Sequence, residues 1–512
     1  MATNDTTSVK NGHVSTMTSN KRSSECNTAV TELEQTTKDA SRTDSVEVPV
    51  TENSTKRKQL SPPNGGWGWI IVFGSLIAHI IIFGIEKSSG IFYLKFEARF
   101  NKSAAVTAWI TTLPGVFRSI LGPLCGILIN RFSCRSVTLT GAIILGVSMG
   151  LTAFTYDLTL AVVSYSLLGG LGMCLVYSPA IIIVNQYFST KRGLATGIAT
   201  SSLAAFLFPN IIEFLFDFYG FLGAFLILSG ITLNLLVCGT LYRPLPSNAK
   251  FERQTILKRD GQVLETRCNS QGNKNEKDKE DHGCCYRVSC SLRNSGNTQC
   301  NIKTIVADYR YTSFIIAVGL FSAAFQSAFA FLPVYAKEMN IEESSTAFIV
   351  SLTILFDTLG RLFFGAVLDM RSVKHYRVVI YNCVLLALGI LSLILPFSSE
   401  YIILAVVCSV YGFMMGCIIS QKSVIIVDIL GVNNLALAFG LLLLLQGVGS
   451  SAGPSISGVI KDMSGSASGG FYFGGICTIF GAAIFATANL VHHFKYSNKM
   501  SKGRSRVYTI TT

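Results

Sequence analysis

Apolar residues along this chain come in long blocks separated by short polar stretches. The first half holds six: Trp67 to Tyr93, Ala104 to Ile129, Val137 to Tyr156, Thr159 to Ile183, Leu194 to Leu215 and Phe221 to Leu241. Six more follow: Tyr311 to Phe331, Thr346 to Leu368, Tyr376 to Phe397, Ile402 to Ser420, Leu435 to Ile460 and Gly469 to Val491. Each approaches or exceeds the roughly 20 residues a helix needs to cross about 30 Å of hydrocarbon. In lipid every backbone N–H and C=O must be satisfied within the segment, so such blocks predict helices. The pattern predicts an all-α, multi-pass membrane protein with twelve transmembrane helices. It divides the chain into a disordered cytosolic tail (1–65), a six-helix bundle (66–242), a cytosolic linker (243–310), a second six-helix bundle (311–494) and a basic cytosolic tail (495–512). The linker crowds Lys, Arg, Asp, Glu, Ser, Asn and Gly together and cannot bury enough apolar surface to fold alone.

Composition agrees: half the residues are hydrophobic and 14% are charged, which excludes an ordinary soluble domain. Residues 1 to 60 are polar and contain no apolar core of a secretory signal, so the first span is expected to direct insertion itself. Arg131 and Arg135, Lys191 and Arg192, Arg371, Lys374 and Arg377, and Lys422 all fall after even-numbered blocks, whereas Glu97, Glu338, Glu342, Glu343 and Glu400 mark the opposite loops. By the positive-inside rule both termini face the cytosol. The net charge of +13 is then loop and tail charge attracted to anionic lipid, and no nucleic-acid partner is expected. The fourteen cysteines show no metal-ligand spacing, and Cys284, Cys285, Cys290 and Cys300 fall in the cytosolic linker, where disulfides are disfavoured. They read as free thiols, with palmitoylation the alternative. Asn101-Lys102-Ser103 is a glycosylation sequon, set close to the membrane.

Two charges interrupt the eighth block, Asp357 and Arg361. A charge at bilayer depth costs roughly 2.5–3.5 kcal/mol even on lenient scales, so such residues face a partner or a water-filled cavity. Spacing i to i+4 places both on one helix face. The arginine can grip a carboxylate with two parallel hydrogen bonds, and the aspartate can hold it when no substrate is bound. The competing reading is a static ion pair between helices. Arg118 is a second candidate anion ligand, with Glu86 or Glu213 as its alternative partner, and His79 reads as a core residue. No nucleotide-binding G-x-x-x-x-G-K-[ST] loop occurs, and no nucleophile, base and metal set suggests an enzyme; no cofactor or metal is expected.

The two halves echo each other after their second helix: Gly126-Ile-Leu-Ile-Asn130-Arg131-Phe-Ser-Cys-Arg135 in the first, Gly365-Ala-Val-Leu-Asp369-Met-Arg371-Ser-Val-Lys374 in the second. This resembles the major facilitator superfamily, whose two bundles are repeats that hold substrate between them near the midplane. Pro63-Asn64-Gly65-Gly66-Trp67-Gly68-Trp69 and Tyr187-Phe188-Ser-Thr-Lys191-Arg192-Gly-Leu194-Ala195-Thr-Gly197 are similar to the two signature segments of the monocarboxylate transporter family, solute carrier family 16. Likeness continues through Leu332-Pro-Val-Tyr-Ala-Lys337 and the Asp357–Arg361 pair, covering about residues 62 to 494. The family pattern has an acidic residue where Asn64 stands, a departure that bears on proton coupling. The Trp67-Gly68-Trp69 run also fits an interfacial anchor with close helix packing.

The resemblance implies proton-linked or facilitated movement of monocarboxylates such as lactate and pyruvate, with some members carrying aromatic amino acids, thyroid hormone, creatine or carnitine. It implies Lys87 as the residue that takes up a proton from outside, and Asp357 and Arg361 as the substrate and proton site. Arg118, Phe83, Glu86 and Met415 are secondary candidates, Met415 for pocket width; Asn130, Arg131, Lys191, Arg192, Asp369 and Arg371 are candidates for conformational gating. Position agrees for Lys87, which lies about 30 Å along the first helix from Trp67. Expected partners are a small carboxylate, a proton, membrane lipid and a single-span glycoprotein chaperone, at the plasma membrane. Asn64 and Glu86 keep a second reading open, a proton-independent transporter of a zwitterion, and a non-transporting sensor or scaffold is a third.

Overall fold

Gly66 sits at a φ of 56°, a left-handed conformation that glycine adopts without strain, and turns the chain into its first helix. The computed structural model describes residues 63–101, 104–201, 207–245, 302–398 and 400–508. The N-terminal tail to residue 62, most of the linker with Cys284, Cys285, Cys290 and Cys300, and Lys102 and Ser103 of the sequon lie outside them. Among the described residues every regular element is helical. The first half contains α1 (Trp67–Lys87), α2 (Ser89–Phe100), α3 (Ala104–Ile120), α4 (Gly122–Arg131), α5 (Cys134–Ala153), α6 (Leu158–Tyr187), α7 (Arg192–Ala199) and α8 (Phe208–Leu241). The second contains α9 (Tyr309–Glu338), α10 (Glu343–Val367), α11 (Arg377–Phe397), α12 (Tyr401–Leu430), α13 (Leu435–Ser464) and α14 (Ser468–Tyr508).

Ten of these helices are long and apolar enough to cross a membrane, or eleven if the bent pair α3 and α4 counts as one span. The difference from the twelve predicted blocks lies in the fifth and sixth. The fifth begins as the short α7, passes through residues 202–206 outside the described chain, and enters α8. At about 1.5 Å per residue α8 is about 51 Å long, more than one crossing. It is broken at Gly220 (φ 63°, ψ −172°), where the predicted fifth and sixth blocks meet. The bend of 46° between α3 and α4 coincides with Pro123, which supplies no N–H to the helix ladder. α14 continues past the expected end of the last span to Tyr508, and the linker holds a short helix, Ile302–Val306.

Helix position decides burial. In α6 83% of the apolar window is buried, so it is a central helix, whereas 33% is buried in α11 and α14, which turn Ile390, Ile394, Ile476 and Phe480 outwards. α10 also has only 33% buried: Phe348, Leu355, Leu359 and Phe363 are exposed, whereas Asp357 and Arg361 are buried. α12 lies along α10, and α9 packs on α13 and α14. A Cβ on Gly416 of α12 would come within 2.6 Å of the Arg361 backbone N, so glycine there lets the two helices meet at the level of the Asp357–Arg361 pair.

Three cations expected in loops or outside the hydrocarbon are buried. Lys422 lies inside α12 and is 5% exposed, because that helix runs to Leu430 rather than ending near Ser420. Arg377 opens α11 at 1% exposure, paired with Asp369 and Asp428. Arg192, expected to be an anchor beyond the membrane, is buried because its Nε donates to the carbonyls of Asn185 (3.2 Å) and Phe188 (2.9 Å) at the end of α6. Those carbonyls have no helical partner, so the guanidinium satisfies them.

Candidate functional site

Between the helices of the two halves lies a cavity of about 700 Å³, lined from the first half by α1, α3 and α6 and from the second by α9, α10, α12 and α13. One end is bordered by Ser89, Trp109, Thr112 and Ser455, with Trp109 exposed. The other end is shut by helices of the two halves packed backbone to backbone. α7 meets α10 where a Cβ on Gly193 would stand 3.0 Å from the Gly365 carbonyl oxygen and 3.1 Å from Asp369 Oδ1. α4 packs on α13 in the same way, and Asn185 Nδ2 donates to Ser423 Oγ across the seam at 3.1 Å. The closed end is the one that carries Lys191, Arg192, Asp369 and Arg371.

Asp357 and Arg361 line this cavity at 3% and 5% exposure. Arg361 Nε donates to Asp357 Oδ1 at 3.1 Å and Nη2 to Oδ2 at 2.6 Å, a two-point fork within one helix. Its Nη1 donates to the carbonyl of Thr200, the residue that caps α7. A helix C-terminus carries partial negative charge, so the guanidinium is held from both halves of the molecule. Arginine has five donor hydrogens and three are engaged here, which leaves two for a ligand in the cavity. Lys87, at the end of α1, is exposed to the cavity, with Nζ 5.3 Å from the Phe329 ring centroid. Asp357, Arg361 and Lys87 therefore border one space.

The secondary candidates are here too. Arg118 donates from Nε to Glu86 Oε1 at 2.8 Å and lies 4.9 Å from the Tyr177 ring centroid, so Glu86, not Glu213, is its partner. Phe83 lines the wall beside Tyr177, with ring centroids 5.9 Å apart, and Met415 lines it from α12. His79 is a core residue, its Nδ1 2.7 Å from the Ser75 carbonyl and its ring beside Phe83 and Tyr177. Lys422, a loop cation by its sequence position, also reaches the cavity, with Nζ donating to Gln446 Oε1 at 2.8 Å. The missed signal is the apolar run Val424-Ile425-Ile426-Val427, which carries the helix past the lysine.

The remaining sequence candidates separate. Asp369 accepts from the Leu194 backbone N–H at 2.8 Å and from Arg377 Nη2 at 2.7 Å, joining the halves at the closed end. Burial pushes its carboxyl above the usual range, against the opposing pull of the Leu194 and Gly193 N–H groups and of Arg377. Arg371 is exposed and forms no ion pair among the described residues; the arginine that pairs with Asp369 is Arg377. Asn130 and Arg131 are exposed, Arg131 lying 5.6 Å from the Phe132 ring centroid, and the first-half copy of the motif makes no cross-molecule ion pair among the described residues. Lys191 is exposed.

Asn64 binds the second signature segment. Its Oδ1 accepts from the backbone N–H of Ser189 (2.7 Å) and Thr190 (3.0 Å), and its own N–H donates to the Tyr187 carbonyl at 3.2 Å. The Trp67-Gly68-Trp69 run joins the same contact: a Cβ on Gly68 would lie 3.0 Å from the Phe188 ring, and Trp69 meets Phe188 edge-on with centroids 5.1 Å apart. The two signature segments are one packed unit at the closed end, away from the cavity lining.

The family model described as Major Facilitator Superfamily matches residues 69–421 and 314–504. Monocarboxylate transporter 12 of Mus musculus is 29% identical over 448 residues, covering 86% of this chain and 89% of that protein. Monocarboxylate transporter 14 of Homo sapiens is 27% identical over 473 residues, covering 83% and 91%. Among solved structures the E. coli fucose:proton symporter aligns with a TM-score of 0.58 at 14% identity, over 83% of this chain and 99% of that one.

Proposed function

From the chain's membership of the Major Facilitator Superfamily and, within it, of the monocarboxylate transporter family, we propose that it moves small monocarboxylates of the lactate and pyruvate class together with a proton, by alternating access at the plasma membrane. The observation that carries this reading is the buried Asp357–Arg361 fork bordering the same cavity as Lys87.

The sequence of events follows from charge. With the cavity open outwards, Lys87 takes a proton. A substrate carboxylate meets the two unused N–H groups of Arg361 and draws the guanidinium from Asp357. Asp357, losing its counter-charge in a low-dielectric site, then accepts the proton. Carboxylate and guanidinium now neutralise each other, and Asp357 and Lys87 are both uncharged. Closure becomes less costly by these charges, because each unpaired charge sealed away from water costs several kcal/mol; Lys422 keeps its own. Release of Thr200 from Arg361 would accompany the opening of the other end, since α7 and α10 meet there.

The proton-independent zwitterion reading rests on the same two residues: Glu86 borders the cavity with its Oε1 on Arg118, and Asn64 holds the loop at Ser189 and Thr190, its Oδ1 accepting two backbone N–H bonds and its Nδ2 donating to Ser189 Oγ, a donor contact that an aspartate could not make. Uptake of labelled lactate, recorded with intracellular pH in cells lacking their own carriers, tests the function. Acidification in step with uptake supports it; uptake of creatine or an aromatic amino acid with no pH change refutes it.

A further inference from the structure

Six charged side chains line the cavity: Glu86, Lys87, Arg118, Asp357, Arg361 and Lys422. Glu86 is paired with Arg118 and Asp357 with Arg361, which leaves Lys87 and Lys422 with no carboxylate partner among the described residues. In the transport cycle above Lys87 gives up its proton, and the first carboxylate is matched by Arg361. The charge of Lys422 is the one still unbalanced when the cavity closes. It is also placed to receive a ligand. Gly416 lies against the Arg361 backbone, and six further residues carry α12 about 9 Å deeper, to Lys422 at the floor next to the Asn185–Ser423 contact. One ammonium hydrogen goes to the neutral Gln446 oxygen, and the ring centroids of Phe439 and Tyr177 stand 5.8 Å and 6.0 Å away. Such surroundings tolerate a cation without neutralising it, and ammonium donors remain for an anion.

We propose that Lys422, steadied by Gln446, is a second anion handle, and that the carrier prefers a small dicarboxylate, one end on Arg361 and the other on Lys422, over a monocarboxylate of the same carbon skeleton. The inference rests on Arg361 as the first handle. Its test compares labelled succinate with labelled butyrate, four-carbon acids that differ in one carboxylate, in cells expressing the full-length chain at a surface level verified by labelling.

Wild type is expected to show a KM for succinate at least about tenfold below that for butyrate. Lys422→Met is expected to collapse that ratio towards one, and Lys422→Arg to keep it. Equal KM values in wild type, or a Lys422→Met ratio equal to that of wild type, would overturn the second handle; the wild-type comparison decides even if Lys422→Met fails to reach the surface. Arg361→Met separates the two readings. Loss of both acids in that variant, with an unchanged ratio in Lys422→Met, removes the second handle and leaves the first in place. Uptake of neither acid by wild type removes both.

Discussion

Replacing Arg361 with lysine keeps the charge and removes the fork. In the structure Arg361 makes three bonds at once, two to the Asp357 oxygens at 3.1 Å and 2.6 Å and one to the Thr200 carbonyl, and two donors remain for a ligand. Lysine presents its donors from a single nitrogen and cannot span both oxygens of a carboxylate in the same plane. A hydrogen bond to a charged group contributes about 1.5–3 kcal/mol net, so losing one of the two ligand bonds removes about that much from substrate binding. The weakened Asp357 contact works the other way, because the substrate displaces Asp357 from this side chain. A net loss of about 1.4 kcal/mol in substrate binding corresponds to roughly a tenfold rise in KM. Initial rates of labelled lactate uptake, normalised to surface protein, measure it. Uptake by Arg361→Lys with the wild-type KM would refute the reasoning, since the fork would then serve no purpose in binding.

Three further changes probe separate parts. Asp357→Asn leaves no proton acceptor beside Arg361, so lactate exchange should persist while the accompanying pH change disappears; full proton flux in that variant would assign the proton elsewhere. Asp369→Ala removes the acceptor for Leu194 N–H and one of the two acidic partners of Arg377, about 1–3 kcal/mol taken from the closed end. Labelling of Ser455→Cys by a membrane-impermeant thiol reagent should then fall, as the outward-open form loses population; labelling at the wild-type rate counts against a gating role for Asp369. Asn64→Asp preserves the acceptor for Ser189 and Thr190, whereas Asn64→Leu does not. Wild-type proton-to-lactate stoichiometry in the first and a lowered Tm in the second are expected, and altered stoichiometry in Asn64→Asp would return that residue to the coupling machinery.

How much of this was legible beforehand depended on how local the signal was. The spans declare themselves by length and hydropathy, and the Asp357–Arg361 pair by its spacing inside an apolar block, because both are properties of one helix. Glu86 with Arg118 was foreseen only as one of two pairings, since the choice over Glu213 depends on how α1 sits against α3. Lys422 and Arg377 stand beside the ends of apolar blocks and so read as loop cations. Their burial follows from where α12 and α11 begin and end, and from Gln446, Asp369 and Asp428 on other segments. Asn64 gave no sign of its partners, which lie 125 and 126 positions away. The repeat motif implies matching roles for its two copies, yet among the described residues the motif's side-chain hydrogen bonds across the seam come from the second copy, from Asp369 and Lys374. Asn130, the counterpart of Asp369, is exposed at the other copy.

The most direct measurement of the central claim uses protein purified and reconstituted into liposomes holding a trapped pH dye, with an inward lactate gradient and no initial pH difference. One proton entering per lactate, with both fluxes abolished by Arg361→Met, is the expected result. Lactate entry that leaves the lumenal pH unchanged, or that survives the loss of Arg361, would contradict it.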